Sequence, residues 1–149
     1  MATLLIGGNG LIGTRLVEYL CEKGEQVISF SLHSPARKVS GCVYVQGDVT
    51  EYGTLNMTLK QYSIDRVIHN AGISHPKMFR DNPYKIYRTN VGGVLTSLEA
   101  ARNYGVERYI YISSGAVYGN VHYERVNEDT PLHSENPYGA TKVACEELV

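Results

Sequence analysis

Residues 7–13 read GGNGLIG and follow the short apolar run TLLI of residues 3–6. In this position Gly7 can form a tight turn, Gly10 lets a pyrophosphate approach the backbone, and Gly13 lets the next helix pack close to the strand. The triplet lies between a predicted strand and a predicted helix, and that context indicates a dinucleotide-binding loop rather than an idle glycine-rich turn. The predicted cofactor-binding residues of the loop are Gly7, Gly10, Leu11, Ile12 and Gly13.

The composition limits the classes of function. The 149 residues are 43% hydrophobic, enough for one domain with a core, and the formal net charge of −1 argues against a nucleic-acid partner. No apolar run approaches the roughly 20 residues of a membrane span, and the N-terminus lacks the basic segment of a signal peptide. The cysteines Cys21, Cys42 and Cys145 include no C-x-x-C pair, which favours reduced thiols in the cytoplasm and predicts no metal site.

Short apolar runs alternate with longer helical patterns along the chain. The predicted strands lie within TLLIG, QVISFSL, CVYVQGDV, DRVIHNAG and ERYIYISS, and a long helix runs from about residue 82 to residue 105. Alternating strands and helices require right-handed crossovers and a parallel sheet. We therefore predict an α/β domain with a doubly wound parallel sheet of the Rossmann type.

The end of the second predicted strand bears on which dinucleotide binds. An NAD site usually has an Asp or Glu there for the ribose hydroxyls, but the stretch ISFSLHSPARK has neither, and the next carboxylate is Asp48. A hydroxyl such as Ser31 and a guanidinium such as Arg37 can accept the 2′-phosphate of NADP. The alternative is that Arg37 and Lys38 lie on a solvated loop. The sequence thus favours NADP and leaves NAD open.

Polar residues interrupt the long helix. Ile86, Asn90, Val94 and Leu98 recur every four residues and are predicted to share one face. An amide on this apolar stripe needs a partner, because an unpaired buried polar group costs about 1–3 kcal/mol. The glycine pair at 92–93 would let the helix lie close to a neighbour or a ligand. Asn90 is therefore a site candidate, with a purely structural asparagine as the alternative.

A serine pair and a tyrosine–lysine pair follow the fifth strand. Ser113 and Ser114 come at a strand end, and ligands of open α/β sheets bind outside the carboxyl ends of strands. Tyr138 and Lys142 are four residues apart in YGATK, on one helix face. A phenol is a poor base at its ordinary pKa of about 10, so it needs a nearby cation, which a lysine one turn away can supply. The alternatives are an ordinary serine-rich strand exit and a chance spacing.

The motifs GGNGLIG, GDV, VIHNAG, NVGG, ISSGAVYG and NPYGATK, in this order, resemble those of the extended short-chain dehydrogenase/reductase family, the NAD(P)-dependent sugar-nucleotide epimerases and dehydratases. The resemblance runs along the whole chain. It implies that Ser114 bonds the reacting oxygen, Tyr138 moves the proton and Asn90 supports the site. The further cofactor-binding residues that it implies are Asp48 and Val49 at the adenine, Ala71 and Gly72 along the cofactor, and Lys142 at the nicotinamide ribose.

Two departures from the family pattern narrow the expected reaction. Dehydratases of the family carry an acidic pair after the hydroxyl residue, where this chain has Gly115 and Ala116, so dehydration is not expected. Epimerases of the UDP-galactose type have an acidic residue at the end of the second strand and a lysine after the HNAG-like turn. This chain has Ser31 and Ser74 there, which argues against that specific substrate.

The resemblance implies an NAD(P)-dependent epimerase or reductase that acts on a nucleotide sugar or a related alcohol. Family members continue into a second half with the final strands and the substrate domain, so we expect residues 1–149 to be the NAD(P)-binding Rossmann domain, with a sheet incomplete at its C-terminus. The last helix would then have an uncovered apolar face, which favours self-association into a homo-oligomer. The alternative is a dinucleotide-binding module, or an inactive fragment of such an enzyme, without activity of its own.

Overall fold

The computed structural model describes residues 1–74, 81–120 and 125–149. Five parallel strands form one sheet in the order β3-β2-β1-β4-β5. The strands are β1 (Ala2–Ile6), β2 (Gln26–Ser31), β3 (Cys42–Gln46), β4 (Arg66–His69) and β5 (Arg108–Tyr111). The chain builds outward from β1 first to one side and then to the other, which confirms the doubly wound, Rossmann-type sheet predicted from the sequence.

Helices follow β1, β3, β4 and β5, and β2 is joined to β3 by residues 32–41 without a helix. The helices are α1 (Leu11–Glu22), α2 (Tyr52–Tyr62), α3 (Pro83–Tyr87), α4 (Gly93–Asn103) and α5 (Pro137–Glu146). A π-helical turn, Arg88–Gly92, joins α3 to α4, so the predicted long helix is present with one wide turn in its middle. Asn82 caps its start, since its side-chain oxygen accepts a hydrogen bond from the Lys85 amide at 3.0 Å.

The π turn changes which residues of the long helix face inward. Ile86, Asn90 and Val94 are buried at the predicted spacing of four, which suits a wide turn. Beyond it the α-helical period of 3.6 applies, so Ser97 and Ala101 continue the buried stripe and Leu98 is only partly buried. The predicted place of Leu98 on this face is thus taken by a smaller polar residue.

The core lies on both faces of the sheet. One face packs against α2 and α4 through residues such as Ile28, Leu55 and Ala100. The other packs against α1 through residues such as Leu5 and Val17. Every residue of β1 is buried, as expected for a central parallel strand with helices on both sides.

The composition led to predictions about the cysteines and about membrane-spanning segments. All three cysteines are free thiols: Cys145 is buried, and Cys21 and Cys42 are partly buried. Among the residues that the structure describes, no helix is both long and apolar enough to cross a membrane.

Candidate functional site

A cavity of about 790 Å³ opens where the strands end, and its wall includes residues directly after each of the five strands. Its size is within the range of sites for small molecules and cofactors. The predicted site residues in its wall are Gly7, Gly10, Leu11, Ile12, Ser31, Asp48, Val49, Ala71, Gly72, Tyr138 and Lys142. The predicted site residues outside its wall are Gly13, Arg37, Asn90 and Ser114.

The glycine loop has the geometry that its spacing predicts. Gly7 has a φ of +83°, and a Cβ there would lie 2.7 Å from the Ala71 nitrogen, so only glycine fits this turn. Gly13 lies beneath the loop, where a Cβ would come within 2.7 Å of the Gly8 Cα. At Gly10 the nearest atom to a Cβ is the Gly7 oxygen at 3.4 Å. Gly10 therefore leaves space for a ligand, while Gly13 acts through packing and does not line the cavity.

Helix α1 directs its N-terminus at this cavity. It begins at Leu11, its N-cap residue Gly10 has no side chain to satisfy the first amides, and its first turn carries no acidic residue. The first amides of a helix lack intrahelical partners and carry partial positive charge. This end of the cavity is thus suited to a phosphate or pyrophosphate.

Asn9, which the sequence reasoning missed, ties the glycine loop to the end of β2. Its side-chain nitrogen donates to the His33 carbonyl at 2.6 Å, and its side-chain oxygen accepts from the Ser29 hydroxyl at 2.7 Å. Its backbone amide donates to the Ser31 hydroxyl oxygen at 3.1 Å. These three bonds fix the loop before any ligand binds. The only sequence signal was an asparagine inside a glycine run.

Arg37 does not reach the cavity wall. Its guanidinium forms an ion pair with Glu18 of α1, and Glu18 also pairs with Arg15 at 2.8 Å. The two arginines hold the pKa of Glu18 below its ordinary value. Arg37 does border a smaller depression beside Gly10 and Leu11. The sequence predicts Arg37 as a direct cofactor ligand, but in the structure its charge is already paired with that of Glu18.

Asp48 and Val49 lie in the wall after β3. One carboxylate oxygen of Asp48 accepts hydrogen bonds from the amide and the hydroxyl of Thr50, both at 2.9 Å, which fixes the side chain. A Cβ on Gly93 would lie 2.7 Å from Val49, so the helix approaches this loop closely, as the glycine pair predicted. Its neighbour Gly92 faces open space, and only one of the two glycines is needed for the approach.

Asn90 supports the wall from behind. Its side-chain oxygen accepts from the Ile73 amide at 2.8 Å, and its side-chain nitrogen donates to the Ile73 carbonyl at 3.1 Å and to the Thr141 hydroxyl at 3.0 Å. The amide thus holds the loop after β4 against α5. It is a satisfied structural asparagine that positions the site without lining it.

The two serines after β5 have different roles. The Ser114 oxygen accepts a hydrogen bond from the Ala116 amide at 3.2 Å and begins a short 3-10 helix, Gly115–Tyr118. Ser113, and not Ser114, lines the cavity. The Ser113 hydroxyl donates to the carboxylate of Glu146 at the end of α5.

Tyr138 and Lys142 meet in the cavity wall as predicted. The Lys142 ammonium is 5.8 Å from the centre of the Tyr138 ring and 4.6 Å from the centre of the Tyr111 ring. It donates a hydrogen bond to the Ile112 carbonyl at 2.8 Å. Burial, which leaves Lys142 only 5% exposed, lowers its pKa below the ordinary value. The pair places a cation beside a phenol at the edge of the cavity.

A cluster of buried polar side chains around His69 lies near Lys142, and the sequence reasoning did not single it out. The Nδ1 atom of His69 is 2.9 Å from both the Ser97 and the Tyr109 hydroxyls. Burial, and after it the charge of Lys142, lowers the pKa of His69 to about 3, so the imidazole is neutral. Burial also raises the pKa of Tyr109 and of Tyr111. These three titratable groups near Lys142 are thus neutral.

Comparison with known proteins agrees with this geometry. A model of the NAD dependent epimerase/dehydratase family matches residues 3–149. The chain is 32% identical to a UDP-glucose 4-epimerase of Lacticaseibacillus casei and 34% identical to one of Lactobacillus helveticus, over 100% of this chain and 46% of each relative.

Solved structures match as well. The UDP-glucose 4-epimerase of Thermus thermophilus in complex with NAD superposes with a TM-score of 0.93 at 31% identity, over 99% of this chain and 49% of that one. The enzyme of Bifidobacterium longum in complex with NAD+ and UDP gives 0.92 at 28% identity, over 99% of this chain and 48% of that one. The chain spans about half the length of the curated relatives it matches. Because the family model covers nearly the whole chain, this protein belongs to the NAD dependent epimerase/dehydratase family.

Proposed function

We propose that the cavity binds a nicotinamide dinucleotide and that residues 1–149 act as the dinucleotide-binding domain of an epimerase or reductase. The observation that carries this proposal is a cavity whose wall includes both the N-terminus of α1 and the Tyr138–Lys142 pair. Ser31, Asp48 and Val49, at the ends of β2 and β3, would hold the adenosine. Gly10, Leu11 and Ile12 would hold the pyrophosphate, and Lys142 would hold the nicotinamide ribose.

The reaction proposed is reversible oxidation of a carbon of a nucleotide sugar or a related alcohol. The bound nicotinamide supplies the hydride acceptor. Tyr138 takes the hydroxyl proton, and the neighbouring Lys142 cation favours its phenolate form. Since the Ser114 oxygen accepts from Ala116, its hydroxyl hydrogen is left to donate to the reacting oxygen. Gly115 and Ala116 supply no acid, so elimination of water is not part of the proposal.

UDP-glucose is the first substrate to test, because the relatives described above are named for it. The departures at Ser31 and Ser74 argue against the UDP-galactose type of substrate. Replacing Tyr138 by Phe removes the proton-transfer group, and we expect turnover of any accepted sugar to fall about 10²- to 10⁴-fold while cofactor affinity stays within about twofold. Turnover near that of the unaltered chain would refute the role of Tyr138.

The proposal includes a preference for NADP over NAD. It is supported by Ser31 in the cavity wall and by the lack of a carboxylate in the stretch ISFSLHSPARK. It requires Arg37 to leave Glu18 and turn to the 2′-phosphate. Replacement of Arg37 by Ala should then weaken NADPH binding and leave NADH binding unchanged. Equal effects on both cofactors would contradict the preference.

The experiment that tests cofactor binding is a fluorescence titration of the chain with NADH and with NADPH. Gly10→Val places a side chain where the pyrophosphate approaches, and we expect it to abolish binding without unfolding the protein. Gly53→Val is the matched control, because a Cβ at Gly53 meets no atom within 4 Å. Unchanged binding by the Gly10 variant would refute the proposed site.

A second candidate function is cofactor binding without catalysis. The position of Ser114 outside the cavity wall favours it. Binding of NADH or NADPH together with no turnover of nucleotide sugars would select this alternative. The cytoplasmic location and the homo-oligomer stay predictions from the sequence.

A further inference from the structure

Glu146 is joined to the cavity wall by a contact that the proposed reaction does not use. The hydroxyl of Ser113, which lines the cavity, donates to the Glu146 carboxylate. Ser113 follows β5, whereas Glu146 lies in the last turn of α5. The contact thus ties the wall to the helix that carries Tyr138 and Lys142.

Glu146 also lies one helical turn after Lys142, so the two side chains share a face of α5. They form no ion pair within 4.0 Å among the described residues, and the carboxylate acts on the ammonium through space. Burial disfavours the charged form of Lys142, whereas Cys145 and Glu146 favour it.

Groups on neighbouring elements also face Lys142. From β4 comes the neutral imidazole of His69, and from β5 the ring of Tyr111. From α5 itself come Tyr138 and Cys145. Of the charged groups described around the ammonium, Glu146 is the carboxylate that acts on it.

We propose that Glu146 is a positioning residue, whose carboxylate holds Ser113 in the cavity wall and supplies the negative charge that faces the Lys142 ammonium. This inference rests on the proposed function in one respect, the contact of Lys142 with the nicotinamide ribose. A charged ammonium donates to ribose hydroxyls more strongly than a neutral amine. Glu146 therefore acts on cofactor binding through Lys142 and without touching the cofactor.

The consequence is a pH dependence of a stated sign. As pH rises, Lys142 loses its proton and NADH binding weakens. Without the Glu146 carboxylate the ammonium loses its proton at a lower pH, so the midpoint of this weakening moves down. We expect a shift of about half a pH unit, which corresponds to roughly threefold weaker binding near the midpoint.

The test compares Glu146→Gln with the matched control Glu147→Gln, which removes the same charge from the exposed neighbouring position. NADH affinity is measured from pH 7 upward, and ADP, which has no nicotinamide ribose, is the second probe. We expect the NADH midpoint to fall in the Glu146 variant only, and ADP affinity to be equal in all three proteins. Equal ADP affinity also shows that the variant is folded.

Other outcomes overturn the inference. Identical NADH profiles for the two variants would show that Glu146 acts only on structure, and a matching loss of ADP affinity would indicate a general distortion. Ser113→Ala provides a second variant, and it should lower the midpoint by less than Glu146→Gln because the carboxylate remains. If the unaltered chain binds ADP and NADH with equal strength at every pH, the inference fails together with the proposed ribose contact of Lys142, while the proposed adenosine and pyrophosphate sites stand; if it binds neither, the proposed function fails as well.

Discussion

At the glycine-loop end, formed by the loop of residues 7–13 and the end of β2, the cavity wall depends on close backbone contacts. At the lysine end, formed by Ser113, Tyr138 and Lys142, the wall consists of side chains, and hydrogen bonds to side chains and to backbone hold Ser113 and Lys142. The first end depends on glycines that allow one close approach of a strand and a helix. The second depends on hydrogen bonds among α5, the π turn and the loops after β4 and β5.

This difference predicts that substitutions at the two ends of the cavity have different effects on the protein. At Gly7 and Gly13 the backbone itself is in contact, so an added side chain has nowhere to move and the damage extends to the fold. At the lysine end a lost side chain removes hydrogen bonds and loosens one wall while the sheet remains. The following variants test this contrast.

The largest effect is expected from Gly13→Val at the glycine-loop end. The new side chain would meet the backbone of Gly7 and Gly8, which cannot shift without opening the turn. We expect the free energy of unfolding to fall by about 3 kcal/mol or more, measured by urea denaturation. Gly53→Val, at an open position, should change it far less. If the two variants are equally stable, the glycine loop accommodates an added side chain, and the proposed difference between the two ends of the cavity is wrong.

A smaller effect is expected from Asn90→Ala behind the lysine end. The substitution leaves the Ile73 amide and carbonyl without their partner and removes the bond to Thr141. We expect a loss of about 2–3 kcal/mol in the free energy of unfolding. NADH affinity should fall while ADP affinity is retained. An equal loss for both ligands would mean that Asn90 supports the whole cavity.

The smallest of the three effects concerns pH and His69. Its pKa is about 3 in the folded protein and 6.5 in the unfolded chain, so between these values the unfolded chain binds the extra proton. The free energy of unfolding should therefore fall as pH drops below 6.5, by about 2 kcal/mol at pH 5. Urea denaturation at pH 7.5 and pH 5 measures this difference.

The control for His69 is a second histidine on the surface. His69→Gln should reduce the loss of stability between pH 7.5 and pH 5, even if the variant is less stable at both. His133→Gln, at an exposed position, should leave the pH dependence as in the unaltered chain. If the free energy of unfolding depends on pH in the same way in both variants, groups other than His69 cause the loss of stability in acid.

The sequence predicted much of the fold and part of the site. The parallel sheet, the turn at Gly7, the close packing at Gly13 and the Tyr138–Lys142 pair are all present in the structure. Sequence reasoning predicted Arg37 as a cofactor ligand, whereas the structure pairs it with Glu18, and it did not single out Asn9 or the contact of Ser113 with Glu146. The positions of these side chains depend on contacts with distant residues that no local sequence pattern indicates.

The features of the fold that the sequence determined by itself follow from short-range rules. Alternating apolar and helical segments determine a doubly wound sheet, and a strand followed by spaced glycines determines a helix N-terminus above the sheet. Only the tertiary structure decided that Glu18 pairs with Arg37, that Asn90 binds Thr141, and that Ser113 binds Glu146. The residues of these pairs are 19, 51 and 33 positions apart, and side chains so distant in the chain meet only after the sheet has brought their elements together.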